Sequence, residues 1–449
     1  MLQKSISLFI FCLLTSPAVV AETPEPTGNS AIFFHPDGTS ASHWDAVRML
    51  HYGPDGMLHW DRLPHLAPYR GHLSDQLVAT SNAGAVIHAT GALAYSGSFG
   101  LDANGEVYTS ADGTRLTIMQ KALAAGLGTA LVQTGSLIEP GTAVFVARAS
   151  SRREYEAIAE QVVRSDVDII LGAGEEWLLP KGTRGRFGEG SRTDGRNLIA
   201  ELESAGYSVV YTRDELLALD DDVTRVFGVF ALEDTYHDRS EEQLRDLGLD
   251  NYLASAPTVA EMTAFALERM RRHEPGFLMV IEEEGTDNLC NRQNANACLE
   301  AMKRADDAVG VIRDFIDEHP KTFMVMTSDS NANGPQVVHV PRDLDEVPDA
   351  DPWTRSAIDG VAGTGTAPFI AAPDRHGQRH AFAIGWASGF DVGSGVLARG
   401  VGLGAEQFLP TSGIHNTDIY RMLYATLFGE EIGYSDGRTT PAITDPSPR

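Results

Sequence analysis

The chain has 449 residues, 43% of them hydrophobic and 22% charged, with 44 Gly and 22 Pro. This composition excludes a collagen, a disordered tail and a small disulfide scaffold, and it supplies apolar material for a sizeable core. Asp and Glu number 62 against 35 Lys and Arg, leaving −27 with no basic run. Such a surface repels polyanions and carries no footprint for nucleic acid, so an anionic ligand must be held by bound cations or a local arginine.

Read from the start, residues 1–21 have the form of a signal peptide. A lysine precedes a short apolar run at 5–14, and Val19-Val20-Ala21 suits signal peptidase, with cleavage before Glu22. The run is too short to span a bilayer, and no later segment reaches the length a spanning helix needs. A periplasmic or secreted protein without a membrane span is expected. Cys12 leaves with the signal, and Cys290 and Cys298 remain as a bridge or as two free thiols. Strands are expected at 31–35, 129–133, 168–171, 208–211, 225–230, 276–281, 322–327 and 367–372. Helices are expected at 153–164, 195–205, 259–272, 295–319 and 416–428. Several strands are continuous apolar runs, as in a parallel sheet buried on both faces. The class is α/β, with a central, mostly parallel sheet sandwiched between helices. Residues 22–438 are expected to form one catalytic domain with loop insertions. The stretch 182–196 reads as a surface loop, and 439–449 as a flexible Pro-rich tail.

In such sheets ligands bind beyond the carboxyl ends of strands. Four strand ends here carry carboxylates: Asp37 after the first, Glu139 after the Thr129 strand, Glu282-Glu283-Glu284 and Asp287 after the Phe277 strand, and Asp329 after the Val325 strand. One strand-end Asp is ordinarily a cap or turn residue. Four converging ends would repel one another unless cations sat among them, which points to a metal site. Residues 77–91 are rich in small side chains, and Ser81 falls at a helix start, where N–H groups and the helix dipole stabilise an oxyanion. On that segment alone a plain serine cap is the simpler reading.

The segments 33–38, 80–91, 139–152, 277–287, 325–329 and 416–429 together resemble the alkaline phosphatase family, over residues 30 to 429. The resemblance implies that Ser81 accepts the phosphoryl group and that Arg152, thirteen residues after Glu139, clamps phosphate. It implies that Asp37 bridges two metal sites, with Glu282 and Glu139 at a magnesium site. Gly141 stands where the family has a hydroxyl, and Thr142 is the substitute. Asp329 is implied as ligand of the metal that activates the serine, and Asp287 as ligand of the other catalytic metal. The three zinc-binding histidines fall on Asn291, Ser330 and Gly363, so none is His; Ser330 offers a hydroxyl in place of a ring. The acidic residue usual before the nucleophile is Thr80. Oxygen-rich sites suit magnesium, calcium or manganese better than zinc. The implied cofactors are therefore Mg2+ and a second divalent cation drawn from Zn2+, Ca2+ or Mn2+. His35, His88 and His415 are candidates for a replacement ligand, each with a structural role as the plainer reading. A homodimer is common in the family.

The resulting expectation is a secreted, metal-dependent phosphomonoesterase acting on a small phosphate ester through a phosphoserine at Ser81. The alternatives are a phosphodiesterase or other phosphate-ester hydrolase of the superfamily, and a non-catalytic binder of metal or organophosphate. A sulfatase is disfavoured, because residues 80–85 lack the Cys/Ser-x-Pro/Ala-x-Arg pattern.

Overall fold

The computed structural model describes residues 24–340, 358–360 and 367–433. The signal segment, Gly363 and the tail at 439–449 lie outside them. The sheet is built around β1 (Ser30–Pro36), buried over its whole length. It pairs in parallel with β7 (Phe277–Glu283) on one side and β8 (Thr322–Met326) on the other. Side chains on a strand alternate between faces. Ala31 and Phe33 accordingly enter one apolar cluster, and Ile32 and Phe34 enter the other. Both faces are apolar because both are covered, which is why the run shows no polar alternation.

Beyond β7 the parallel order continues through β3 (Gly128–Ser136), β4 (Ile169–Ala173), β6 (Val226–Val229) and β5 (Ser208–Val210). Beyond β8 the sheet changes character. Strand β13 (Leu397–Gly402) lies antiparallel to β8 and to β2 (His65–Arg70), and β14 (Ile414–His415) closes that edge. The result is a ten-stranded, mostly parallel sheet. Helices Ser81–Thr90, Ile118–Ala124, Tyr155–Val163 and Asp418–Phe428 pack into the cluster on one face. Helices Ala41–Tyr52, Val259–Met270 and the 24-residue Ala295–Glu318 pack into the cluster on the other. A smaller antiparallel sheet joins β9 (Pro335–His339), β10 (Ile358–Asp359), β11 (Phe369–Ile370) and β12 (Ala381–Trp386).

Two expectations need correction. The run at 367–372 contributes only the two residues of β11, and these belong to the small sheet rather than the large one. The Gly/Arg-rich stretch at 182–196 is not simply a solvated loop. Arg192 is 1% exposed, and its Nη1 donates to the Glu156 and Trp177 carbonyls, so a guanidinium pins the segment. Cys290 and Cys298 form a disulfide. It joins helix Gly285–Asn291 to the first turn of Ala295–Glu318.

Candidate metal centre and nucleophile

Register sets the site. His35 on β1 lies opposite Glu282 on β7, and β8 ends alongside, so His35, Asp37, Glu282 and Asp329 leave the sheet at one edge. All four are buried. The His35 ring sits among the carboxylates, with Nδ1 3.4 Å from Glu282 Oε1 and Nε2 3.5 Å from Asp37 Oδ1 and 3.7 Å from Asp329 Oδ1. Both ring nitrogens lack a hydrogen-bond partner, as do Asp37 Oδ2, both Glu282 oxygens and both Asp329 oxygens. Buried polar atoms are nearly always paired, so orphans in this number mark a place built for something else.

Two groups of potential ligand atoms emerge, each within 4.8 Å of one another: His35, Asp37 and Glu282, and then Asp37, Glu284 and Asp287. Asp37 belongs to both. The Glu282-Glu283-Glu284 run is divided by the pleat. Glu283 accepts from Thr134 Oγ1 (3.0 Å) and Arg304 Nη2 (3.3 Å), an internal ion pair, while Glu282 and Glu284 turn to the cluster. Thr286 Oγ1 bonds the Asp37 carbonyl at 2.7 Å and fixes the two strand ends together. Glycines make room for the carboxylates. A Cβ at Gly38 would stand 2.5 Å from Asp287 Oδ1, and one at Gly141 would stand 1.5 Å from Glu282 Oε1. Glu282 thus fills the space that a side chain at Gly141 would need. The Thr142 hydroxyl accepts from Gln133 Nε2 at 2.6 Å.

Asp287 and Asn291 share one helix face four residues apart, and Asn291 Nδ2 donates to Asp287 Oδ2 at 2.9 Å. Ser330 Oγ is buried and faces Asp391. Asp391 completes this side. It interacts with Asn291 and Ser330 and lies near Asp287, and its Oδ1 is also an orphan. Nothing in the sequence marks Asp391, which stands in a Gly-rich turn before a strand that has no apolar alternation. Nor does the sequence distinguish Glu284 from its neighbours.

Ser81 opens the helix Ser81–Thr90, with Thr80 as an extended N-cap, so its hydroxyl stands at the free N–H groups of the first turn. Thr80 Oγ1 and Asn82 Nδ2 both donate to the Ser96 carbonyl, at 3.0 and 2.9 Å, and hold that turn. The helix is seated on Asp329, since a Cβ at Gly84 would stand 2.4 Å from Asp329 Cβ. Arg152 Nη2 bonds Glu139 Oε2 at 2.9 Å, and its side chain is 45% exposed, so most of its fork is free. Two of the three histidine candidates are tied elsewhere. His88 Nε2 pairs with Tyr69 Oη at 2.6 Å, and His415 Nε2 with His72 Nε2 at 3.0 Å.

Electrostatics agree with the orphan atoms. Burial pushes Asp37 well above the usual carboxylate range, and Asp329 and Asp287 push it further. Burial and Asp391 do the same to Asp287, and burial and Glu282 to Glu284. Burial alone would lower His35, but Asp329 and Glu282 outweigh it and raise the ring to about 9. Burial acts against Asp329 too, yet His35 beside it holds its carboxyl low. These shifts describe a cluster whose crowded negative charge calls for positive charge beside it. The donor set is carboxylate, hydroxyl and amide oxygen with one imidazole, which fits divalent cations of the hard, oxygen-preferring kind.

The family model for alkaline phosphatase matches residues 29–341. The chain belongs to the alkaline phosphatase family. Its sequence is 24% identical to the Escherichia coli alkaline phosphatase over 349 residues, 67% of this chain and 69% of that one. It is likewise 24% identical to alkaline phosphatase 4 of Bacillus subtilis over 269 residues, 58% of this chain and half the length of that relative. The fold matches the Thermus thermophilus alkaline phosphatase with a TM-score of 0.69 at 22% identity, covering 90% of this chain and 93% of that one. It matches a His-to-Asp mutant of the TAB5 alkaline phosphatase, with magnesium in its M3 site, with a TM-score of 0.65 at 18% identity, covering 90% and 98%. Family membership supports phosphatase-type hydrolysis of phosphate esters and dependence on divalent metal. Among the described residues, no helix is long and apolar enough to cross a membrane.

Proposed function

We propose that this protein is an exported phosphomonoesterase that works through a phosphoserine at Ser81 and depends on oxygen-preferring divalent cations. The observation that carries the reading is the set of buried, unpartnered carboxylates on which the Ser81 helix is seated. Asp37, Glu282 and His35 would hold one cation, and Asp37, Glu284 and Asp287 another. Asp329, Ser330, Asn291 and Asp391 are the remaining donors, and at Asn291 and Ser330 oxygen takes positions where, by the resemblance, the family's zinc enzymes carry histidine. Bound divalent cations supply positive charge that favours the alkoxide form of a serine and steadies negative charge on phosphate oxygens.

The residues themselves do the positioning. Ser81 Oγ attacks phosphorus, the phosphorus–oxygen bond to the alcohol breaks, and the alcohol leaves with a proton. Water later hydrolyses the phosphoserine to phosphate and free serine. Backbone N–H groups of the first helical turn face the transferred group. Arg152 offers the N–H donors that Glu139 does not use, and two parallel bonds from one guanidinium fix two phosphate oxygens. The Cys290–Cys298 bridge suits an oxidising compartment, as the signal-like start does.

The test is phosphate release from p-nitrophenyl phosphate by chelator-stripped protein. Zn2+, Mg2+, Ca2+ and Mn2+ are added back singly and in pairs, and acid-quenched protein is mapped by mass spectrometry for phosphoserine. The expected result is rescue by the harder cations and label on Ser81. Full activity in Ser81→Ala overturns the mechanism. Faster turnover of bis(p-nitrophenyl) phosphate than of the monoester overturns the monoester assignment.

A further inference from the structure

An open cleft of about 480 Å³ borders the start of the Ser81 helix. Thr80, the cap of that helix, lines it, with Asn291 and Asp391 from the carboxylate cluster. Gln76, Val78 and Phe390 also line it, and Leu77 lies between Gln76 and Val78 in the chain. Phe390 is 81% exposed and Leu77 85%, the two most exposed large hydrophobic residues among those described. The two segments are packed on each other, since a Cβ at Gly393 would lie 3.2 Å from Val78 Cγ2 and 3.3 Å from the Leu77 carbonyl. Single exposed apolar residues need no explanation, but two large ones on touching segments at the mouth of a catalytic cleft form a small patch. The cleft thus joins donors of the carboxylate edge to the exposed hydrocarbon of Phe390.

We infer that this cleft receives the alcohol part of the ester, and that Leu77 and Phe390 select phosphate monoesters of apolar, aryl or alkyl-bearing alcohols. The inference rests on the phosphomonoesterase reading and adds the substrate class. A monoester bound with phosphorus at Ser81 would have its anionic end at the cations and Arg152 and its carbon end beside Phe390. Neither Leu77 nor Phe390 touches the reacting atoms, so their effect is on specificity.

The experiment is a ladder of 4-alkylphenyl phosphates bearing methyl, propyl and pentyl groups. Across it the basicity of the leaving phenol is nearly constant, while apolar surface grows. Each buried methylene is worth about fourfold in kcat/KM. The expected result is a rise of at least about tenfold from methyl to pentyl in the unaltered protein, and a pentyl-to-methyl ratio near one in Phe390→Ser or Leu77→Ser. Both positions are exposed, so these variants keep their fold, which circular dichroism checks. A flat ladder, poor turnover of the longer esters, or a steep ladder that survives both substitutions overturns the cleft inference and leaves the phosphatase reading standing. Failure to release phosphate from every ester, p-nitrophenyl phosphate included, overturns both.

Discussion

Replacing Gly84 with alanine probes the seat of the Ser81 helix on Asp329. The new Cβ would lie 2.4 Å from Asp329 Cβ and 2.9 Å from Asp329 Oδ2. Carbon atoms settle at about 3.5–4.0 Å, so the two elements must part by about 1 Å. Neither side yields freely, because Asp329 is buried and the helix is buried from Asn82 to Thr90. Two contributions to stability oppose each other. Alanine is favoured over glycine inside a helix by about 1 kcal/mol, while overpacking costs about 1–3 kcal/mol. The net is a loss of up to about 2 kcal/mol, which leaves the protein folded. Activity is far more sensitive, because a misplacement of about 1 Å between reacting groups costs about 100-fold. The assay is kcat/KM for p-nitrophenyl phosphate beside thermal unfolding of the same sample. A variant stabilised by about 1 kcal/mol with unchanged kcat/KM would show that propensity governs this position and that the serine is not held against Asp329.

Three further outcomes follow from the same structure. Chelator-stripped protein should gain about 2.7 kcal/mol of stability at a hundredfold excess of Ca2+, Mg2+ or Mn2+ over its Kd, read as a rise in Tm. Asp37→Asn should abolish most of that rise, and a response to Zn2+ alone would contradict the oxygen-donor assignment. The Cys290–Cys298 bridge closes a loop with a sequence separation of 8, so Cys290→Ser with Cys298→Ser should cost about 2.5 kcal/mol by loop entropy. Unchanged denaturant unfolding in the double variant would rule that out. Burial pushes the Glu241 carboxyl up to about 7, helped by Asp359 and Glu242 against the Asn296 N–H. A raised pKa in the folded state means that this group's contribution is present below its ordinary range, 4.5, and is lost as pH rises through about 7. Glu241→Gln should flatten the fall in Tm across that window, and parallel Tm profiles for the two proteins would refute the assignment.

The strands that carry the site were legible because burial on both faces leaves nothing but apolar residues in Ile32–Phe34 and Leu278–Ile281, followed at once by charge. The strands missed were those with weak patterns. Strand β2 reads His-Leu-Ala-Pro-Tyr-Arg and β13 reads Leu-Ala-Arg-Gly-Val-Gly, and in both, tertiary pairing overrides propensity. Strand ends disclosed Asp37, Glu282, Asp287 and Asp329 as candidates, and the structure brings these four to one edge. Ser330 was legible only by its place after Asp329. Glu282 and Glu284 could not be separated from Glu283 until the pleat was known, since one residue of register moves a side chain to the opposite face. Asp391 announces itself by nothing local. Glu139 and Arg152 keep the expected spacing but are bonded to each other, a pairing that spacing alone does not disclose.

The antiparallel entry of β13 has its own consequence. A strand running against its neighbours presents its beginning where they present their ends. The bridge between Asn331 and Val392 and the pairing of Arg399 with Met326 bring the approach to β13 alongside the exit from β8. Asp391 thus arrives at the carboxylate edge by travelling inward, whereas Asp37, Glu282 and Asp329 arrive by travelling outward. The centre is closed by contacts between distant parts of the chain, which carry a high loop-closure cost. Its completeness therefore depends on the docking of the last strands. A chain whose sheet core has formed but whose last strands have not docked would carry a serine, an arginine and most of the carboxylates while still lacking an assembled site.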